Sequence, residues 1–230
     1  MIATPLEKAR KNPACMKAKI LAAARRIFGK YGFHGATTRM IAREVGVDIS
    51  TLHYHWGEKK NLYEAVVVDI NKDLGQKLID VENIVHSLPL TERLAIAIDI
   101  MTDYLFEHPE ISNLILFRYF TKIRYEADLD FKVPEFTADI ALSMGLTKNK
   151  KKVPPDTMLE ILALINSIHN FISGEDFFRP MVKLKRDEYI TLVKKTLKLI
   201  HISAFTQKEE EKHGKKHARR TGTLGKNNAE

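Results

Sequence analysis

The sequence predicts an all-α protein, an N-terminal three-helix unit of helix-turn-helix type followed by a larger helical body. Apolar residues recur at three- and four-residue steps through most of the 230 positions, and no segment alternates as a half-buried strand does. Two short periodic stretches flank Gly46 inside the most basic part of the chain. These observations together fix the class and the order of its parts.

Taken in order, residues 1–16 read as a flexible basic arm, because Pro5, Pro13 and basic side chains interrupt any apolar period. Residues 17–63 form the helix-turn-helix unit, residues 64–205 the helical body, and residues 206–230 a disordered charged tail nearly free of large apolar groups. In the first helix Ile20, Ala24, Ile27, Phe28 and Tyr31 share a face, and Gly32 supplies a left-handed cap. The body continues from Leu62 with Ala65, Val66 and Ile70, then with helices at roughly 91–107, 110–126 and 134–144. Pro89, Pro109 and Pro134 stand at or before first turns, where proline is tolerated. The run TKNKKKVPPD reads as a loop, and two long helices follow at 156–174 and 187–205, separated by GEDFFRPMVKLKR. The first of these is apolar around most of its circumference and so is expected to be covered on both sides.

Charge is distributed unevenly. Residues 1–60 carry 12 lysines and arginines against 4 acids, residues 61–205 carry 18 against 21, and residues 206–230 carry 7 against 4. A basic head on a slightly acidic body points to a polyanionic partner for the head. The single cysteine, Cys15, excludes an intrachain disulfide and fits a reducing compartment. No apolar run reaches the roughly 18 residues of a membrane span, and the N-terminus lacks a signal-peptide core. The expected location is therefore cytoplasmic and nucleoid-associated, with no membrane partner.

Thr37 is placed to cap a helix from about Thr38 to Val45, with Met40, Ile41 and Val45 facing inward. Gly46 permits the turn, and Asp48 caps the next helix from Ile49 to about His55. Two such helices joined by a glycine turn form a unit whose second helix fits the major groove of DNA.

With those residues in place, positions 17–63 resemble the N-terminal domain of TetR-family transcriptional regulators. Phe28 and Tyr31, Gly32-Phe33, Ala36-Thr37-Thr38, Ile41-Ala42, Val45-Gly46-Val47, Ser50-Thr51-Leu52, His55-Trp56, and Lys59 with Leu62 carry the resemblance by their order and spacing. It implies that Thr38 holds phosphate and that Arg39 reaches a base edge, where guanine suits a guanidinium. It implies further that Ser50 and Thr51 read bases from the recognition helix, while Tyr54, His55 and Lys59 hold flanking phosphates. His53 stands where the family usually has tyrosine, and Trp56 where it usually has phenylalanine. The histidine has a shorter reach and adds protonation to a position expected to touch DNA.

The resemblance implies a homodimer through helices 156–174 and 187–205 on a pseudo-palindromic operator, and a repressor released by a small, mostly apolar effector in the body. Tyr104, Phe117, Phe120, Asn166 and His169, polar or aromatic groups on apolar faces, are the candidate ligand contacts. The alternative reading is a DNA-bound structural or cell-division factor whose body binds a protein. No cofactor and no metal is expected: His53 and His55 point apart on a helix, and His213 and His217 lie in the polar tail. No nucleophile, acid pair or phosphate loop stands out, so an enzyme is not expected.

Overall fold

The computed structural model describes residues 3–120 and 132–224, with side chains described through residue 205. Eleven α-helices and one 3-10 turn make up these residues, and no strand occurs among them. The helices are α1 (Pro5–Lys11), α2 (Met16–Gly35), α3 (Thr38–Val45), α4 (Ile49–Trp56), α5 (Lys59–Val85) and α6 (Leu90–Glu107). They continue with α7 (Pro109–Phe120), α8 (Val133–Ser143), α9 (Pro155–Ser173), α10 (Glu175–Val182) and α11 (Arg186–Leu224). The all-α expectation holds, and the bounds of α3, α4, α6 and α9 fall within a residue or so of those read from periodicity. The expected extension of α7 to residue 126 lies outside the described residues beyond Phe120.

Three segments depart from expectation. The arm expected to be flexible contains α1, begun by a reciprocal cap in which Thr4 Oγ1 accepts from the Glu7 amide and Glu7 accepts from the Thr4 amide. Leu6 and Ala9 are buried against the core. The separator between the two long helices contains α10, even with Pro180 inside it. Instead of ending near 205 before a disordered tail, the last helix continues to Leu224, and 39 residues make it roughly 58 Å long.

In the head α2, α3, α4 and the start of α5 pack around Phe28, Ile41, Leu52 and Leu62, all fully buried. Gly32 breaks α2 with φ 66° and ψ 177°, a conformation open essentially to glycine alone. It is not the simple end cap expected, because the chain resumes helical turns to Gly35. The Phe117 ring stands at ordinary contact distance, 3.5 Å from where a Cβ would lie, so the backbone conformation is what calls for glycine.

Head and body are joined by α5 and by α7, which lies along α2. Arg25 on α2 donates to Asp69 at 2.8 Å and Asp73 at 2.5 Å on α5, and to Glu110 on α7 at 3.4 Å. Arg10 on α1 completes the cluster with bonds to Asp69 at 2.5 Å and Asp73 at 2.9 Å. Asp69 is nearly buried, so two cations and several hydrogen bonds offset its desolvation.

In the body, α9 lies between α7, α8 and α11, and α11 also runs along α6. Lys198 pairs with Asp99 at 2.8 Å, Lys194 pairs with Asp103, and Tyr189 donates to the Phe171 carbonyl at 2.8 Å. These contacts fix α11 while leaving Leu159 on α9 and Leu192, Leu199 and Ile200 on α11 exposed.

Candidate nucleic-acid interface and effector cavity

The turn between α3 and α4 is built from local chemistry. Thr37 Oγ1 accepts from the Met40 amide at 3.2 Å, and Gly46 ends α3 in the left-handed region with φ 77° and ψ 33°. Asp48 accepts from the Thr51 amide at 2.6 Å and from the Ser50 hydroxyl at 2.9 Å, bonds that hold its carboxyl below the usual carboxylate range. Leu52 is fully buried and Trp56 nearly so, with the indole N–H donating to the Lys17 carbonyl at 3.2 Å. The outer face of α4 is thereby fixed toward solvent.

On that face Tyr54 is 84% exposed, and Ser50 and His53 are exposed beside it. Arg39 is exposed at the start of α3 and makes no ion pair among the described residues, while Thr38 and Thr51 are half-buried. The exposed members lie on two adjacent helices, with the Ser50 hydroxyl turned to Asp48. His53 Nδ1 instead bonds the Gly57 carbonyl at 2.8 Å, which closes the helix end.

Two of the expected phosphate contacts have internal partners. The Lys17 ammonium donates to the His55 carbonyl at 2.9 Å and lies 3.3 Å from His55 Nδ1; burial, then the Lys17 charge, lowers the His55 pKa. Lys59 begins α5 with its ammonium 4.5 Å from the centre of the Phe33 ring, and partial burial lowers its pKa. Lys17 was not singled out by sequence reasoning; its partner stands 38 positions away, and only the fold joins them.

A cavity of about 650 Å³ lies in the body between α5, α6, α8 and α9. Its walls are mostly aliphatic, including Leu74, Leu78, Ile98, Met101, Ile140 and Ile165. Of the five ligand candidates, His169 alone lines it. The Tyr104 ring lies beside His108 and under the Lys77 ammonium, and burial raises its pKa to about 12. Phe117 faces Gly32, Phe120 is 80% exposed, and Asn166 is outside the lining.

The cavity has two unlike ends. Arg93 donates to Glu82 at 3.1 Å and to Ser143 at 3.1 Å, while Lys77 lies 5.2 Å from the Tyr104 ring centre. Helices α5 and α6 therefore run antiparallel, with residue 82 beside 93 and residue 77 beside 104. The Arg93 end holds Glu82, Asp139 and Lys150, whose side chains are 40%, 46% and 55% exposed, so it opens to solvent. At the other end Leu105, Ile115 and His169 are buried. Twelve helical residues from Arg93 to Leu105 span about 18 Å. His169 Nδ1 is 2.9 Å from Ser112 Oγ on α7, and burial lowers the imidazole pKa to about 4.

Among the described residues no group of three or more histidine, cysteine or acidic side chains could hold a metal, and no helix is long and apolar enough to cross a membrane. Residues 20–66 match the family described as bacterial regulatory proteins, tetR family. The HTH-type transcriptional repressor AcnR of Corynebacterium glutamicum is 34% identical over 55 residues, which are 24% of this chain and 29% of that protein. The match thus spans under a third of that relative's length. Among solved structures, the fatty acid degradation regulator FadR from Bacillus halodurans has TM-score 0.55 at 15% identity, over 80% of this chain and 93% of that one. FadR from Bacillus subtilis, in complex with stearoyl-CoA, has TM-score 0.53 at 19% identity, over 80% and 97%. At such identities these two likenesses concern the fold.

Proposed function

We propose that this chain, which belongs to the TetR family of bacterial regulatory proteins, is a homodimeric transcriptional repressor released from a pseudo-palindromic DNA operator by a long-chain acyl ligand in its body. The observation that carries the reading is an elongated aliphatic cavity, open at a charged end, in a body that grips a capped helix-turn-helix.

For the head, Arg39, Ser50 and Thr51 read bases, and Thr38, Tyr54 and the first turn of α5 with Lys59 hold phosphate. Lys17, whose ammonium lies against the His55 carbonyl and ring, adds a cation to the same side. His53 contributes its ring edge rather than the longer reach of a tyrosine. Pairing of two copies through the exposed apolar residues of α9 and α11 would set two α4 helices on successive major grooves. Sedimentation of the full chain as a monomer at working concentrations would count against that pairing.

For the body, a volume of about 650 Å³ falls in the range of pockets that enclose small molecules. The aliphatic walls suit an alkyl chain, and the mouth, where Arg93 pairs with Glu82 and Lys150 with Asp139, suits a polar head. That the Bacillus subtilis FadR structure contains stearoyl-CoA supports the same ligand class here. The alternative, a structural or cell-division factor with a protein-binding body, is less favoured because it leaves this cavity without a role.

Selection of bound fragments from genomic DNA, repeated with stearoyl-CoA and with free stearate, tests the proposal. Enrichment of one inverted repeat, lost when an acyl ligand is added, is expected. Enrichment of no sequence refutes the DNA-reading role, and enrichment insensitive to both ligands refutes acyl release.

A further inference from the structure

Seven of the polar residues lining the cavity belong to the mouth or its solvent side; His169 alone stands at the closed end. It is 5% exposed and its neighbours there, Leu105 and Ile115, are aliphatic and buried. A chain entering tail-first therefore ends against an imidazole, about 18 Å from the charged mouth.

The tautomer follows from the partner. Ser112 is fully buried, and among the described residues its hydroxyl has His169 Nδ1 as its hydrogen-bonding partner. Thr137, Ser167, Thr191 and Ser203 each donate to a carbonyl four residues back along their helices, whereas Ser112 makes no such bond. The Ser112 proton is satisfied only by donating to Nδ1, which leaves Nε2 carrying hydrogen. Nε2 has no protein partner among the described residues, and the side chain borders the cavity. An N–H donor on an otherwise aliphatic wall is matched best by a ligand that brings an acceptor to it.

We infer that His169 is a specificity-determining residue: the closed end is built for a chain bearing a hydrogen-bond acceptor at its inner terminus, such as an ω-hydroxy or ω-oxo acyl group, in preference to a plain methyl end. This assignment rests on the acyl-ligand reading and sharpens it. Ser112 is the positioning residue, fixing the imidazole's orientation and its proton.

Calorimetric titration of the full chain tests it, using fatty acids of even length from dodecanoate to octadecanoate and their ω-hydroxy counterparts. At the best-fitting length the ω-hydroxy acid is expected to bind about tenfold more tightly. His169→Leu should abolish that preference while retaining the plain acid, and His169→Gln, which keeps an N–H donor, should restore part of it. Ser112→Ala frees the tautomer, should reduce the preference, and serves where His169→Leu does not fold. Equal or tighter binding of the plain acids to the wild type, or a preference that survives His169→Leu, overturns the assignment alone. Failure of both series at every length overturns the acyl-ligand reading and this inference with it.

Discussion

Glu110 closes on Gly29 so tightly that a Cβ on the glycine would lie 2.6 Å from Glu110 Cβ and 2.8 Å from its Cα. This is the seam where the body helix α7 presses on the first long helix of the head, and Arg25 reaches Glu110 across it at 3.4 Å. Two packed helices in such contact move together, so a shift of α7 is delivered to α2 rather than absorbed.

Gly29→Ala should therefore be destabilising. The obstructing atoms include backbone, which cannot swing aside, and overpacking of this kind costs about 1–3 kcal/mol. Urea denaturation reads the change, and a midpoint equal to the wild type would show that the seam yields freely.

The head should divide its labour between charge and base reading. Lys59→Ala is expected to weaken binding to specific and random duplexes alike and to lower the salt slope by about one unit. Arg39→Ala should cost about 1–3 kcal/mol on the preferred sequence and relax base preference with less effect on random DNA. Anisotropy titrations at several salt concentrations separate the two, and parallel losses for both variants would contradict the division.

The ion cluster behind α2 should depend most on its buried acid. Asp69→Ala leaves Arg25 short of a partner at a site where its side chain is 14% exposed, for an expected loss of about 3 kcal/mol. Arg10→Ala removes a more exposed partner and should cost closer to 1 kcal/mol, because the 39% exposed guanidinium is screened by solvent. Chemical denaturation that ranks Arg10→Ala as the costlier change would refute this order.

His169 carries a pH signature. Its folded pKa, about 4, lies below the ordinary 6.5, so the folded state resists the proton. Its contribution is complete above pH 6.5 and declines as pH falls toward 4, by about 3 kcal/mol in all. The difference in stability between wild type and His169→Leu should shift across that window in favour of the variant as pH falls. A difference constant from pH 7 to pH 4 would mean that the imidazole is not held neutral.

How much of this was legible in the sequence depended on distance along the chain. Thr37, Gly46 and Asp48 act within a few residues of themselves, so propensity and spacing were enough to place α3 and α4. The Thr4 to Glu7 spacing of a reciprocal cap is a local signal for α1 that the reading of a flexible arm passed over, and α10 lies unread in the separator GEDFFRPMVKLKR. Contacts that join distant positions left no local trace: Lys17 meets His55, Arg25 meets Asp69, and Ser112 meets His169 only after the helices pack. Four of the five ligand candidates lie outside the cavity lining for the same reason. Periodicity places Tyr104 and Phe117 on helices but does not decide that one ring meets Lys77 while the other faces Gly32.

The central claim is that occupancy of the body cavity weakens operator binding by the head. It is tested most directly by titrating a selected operator with the full chain, with and without stearoyl-CoA at a concentration shown by calorimetry to saturate it. A loss of affinity between about fivefold and 150-fold is predicted, the range of a coupling energy of 1–3 kcal/mol. Unchanged operator affinity on a protein demonstrably filled with ligand would contradict the account.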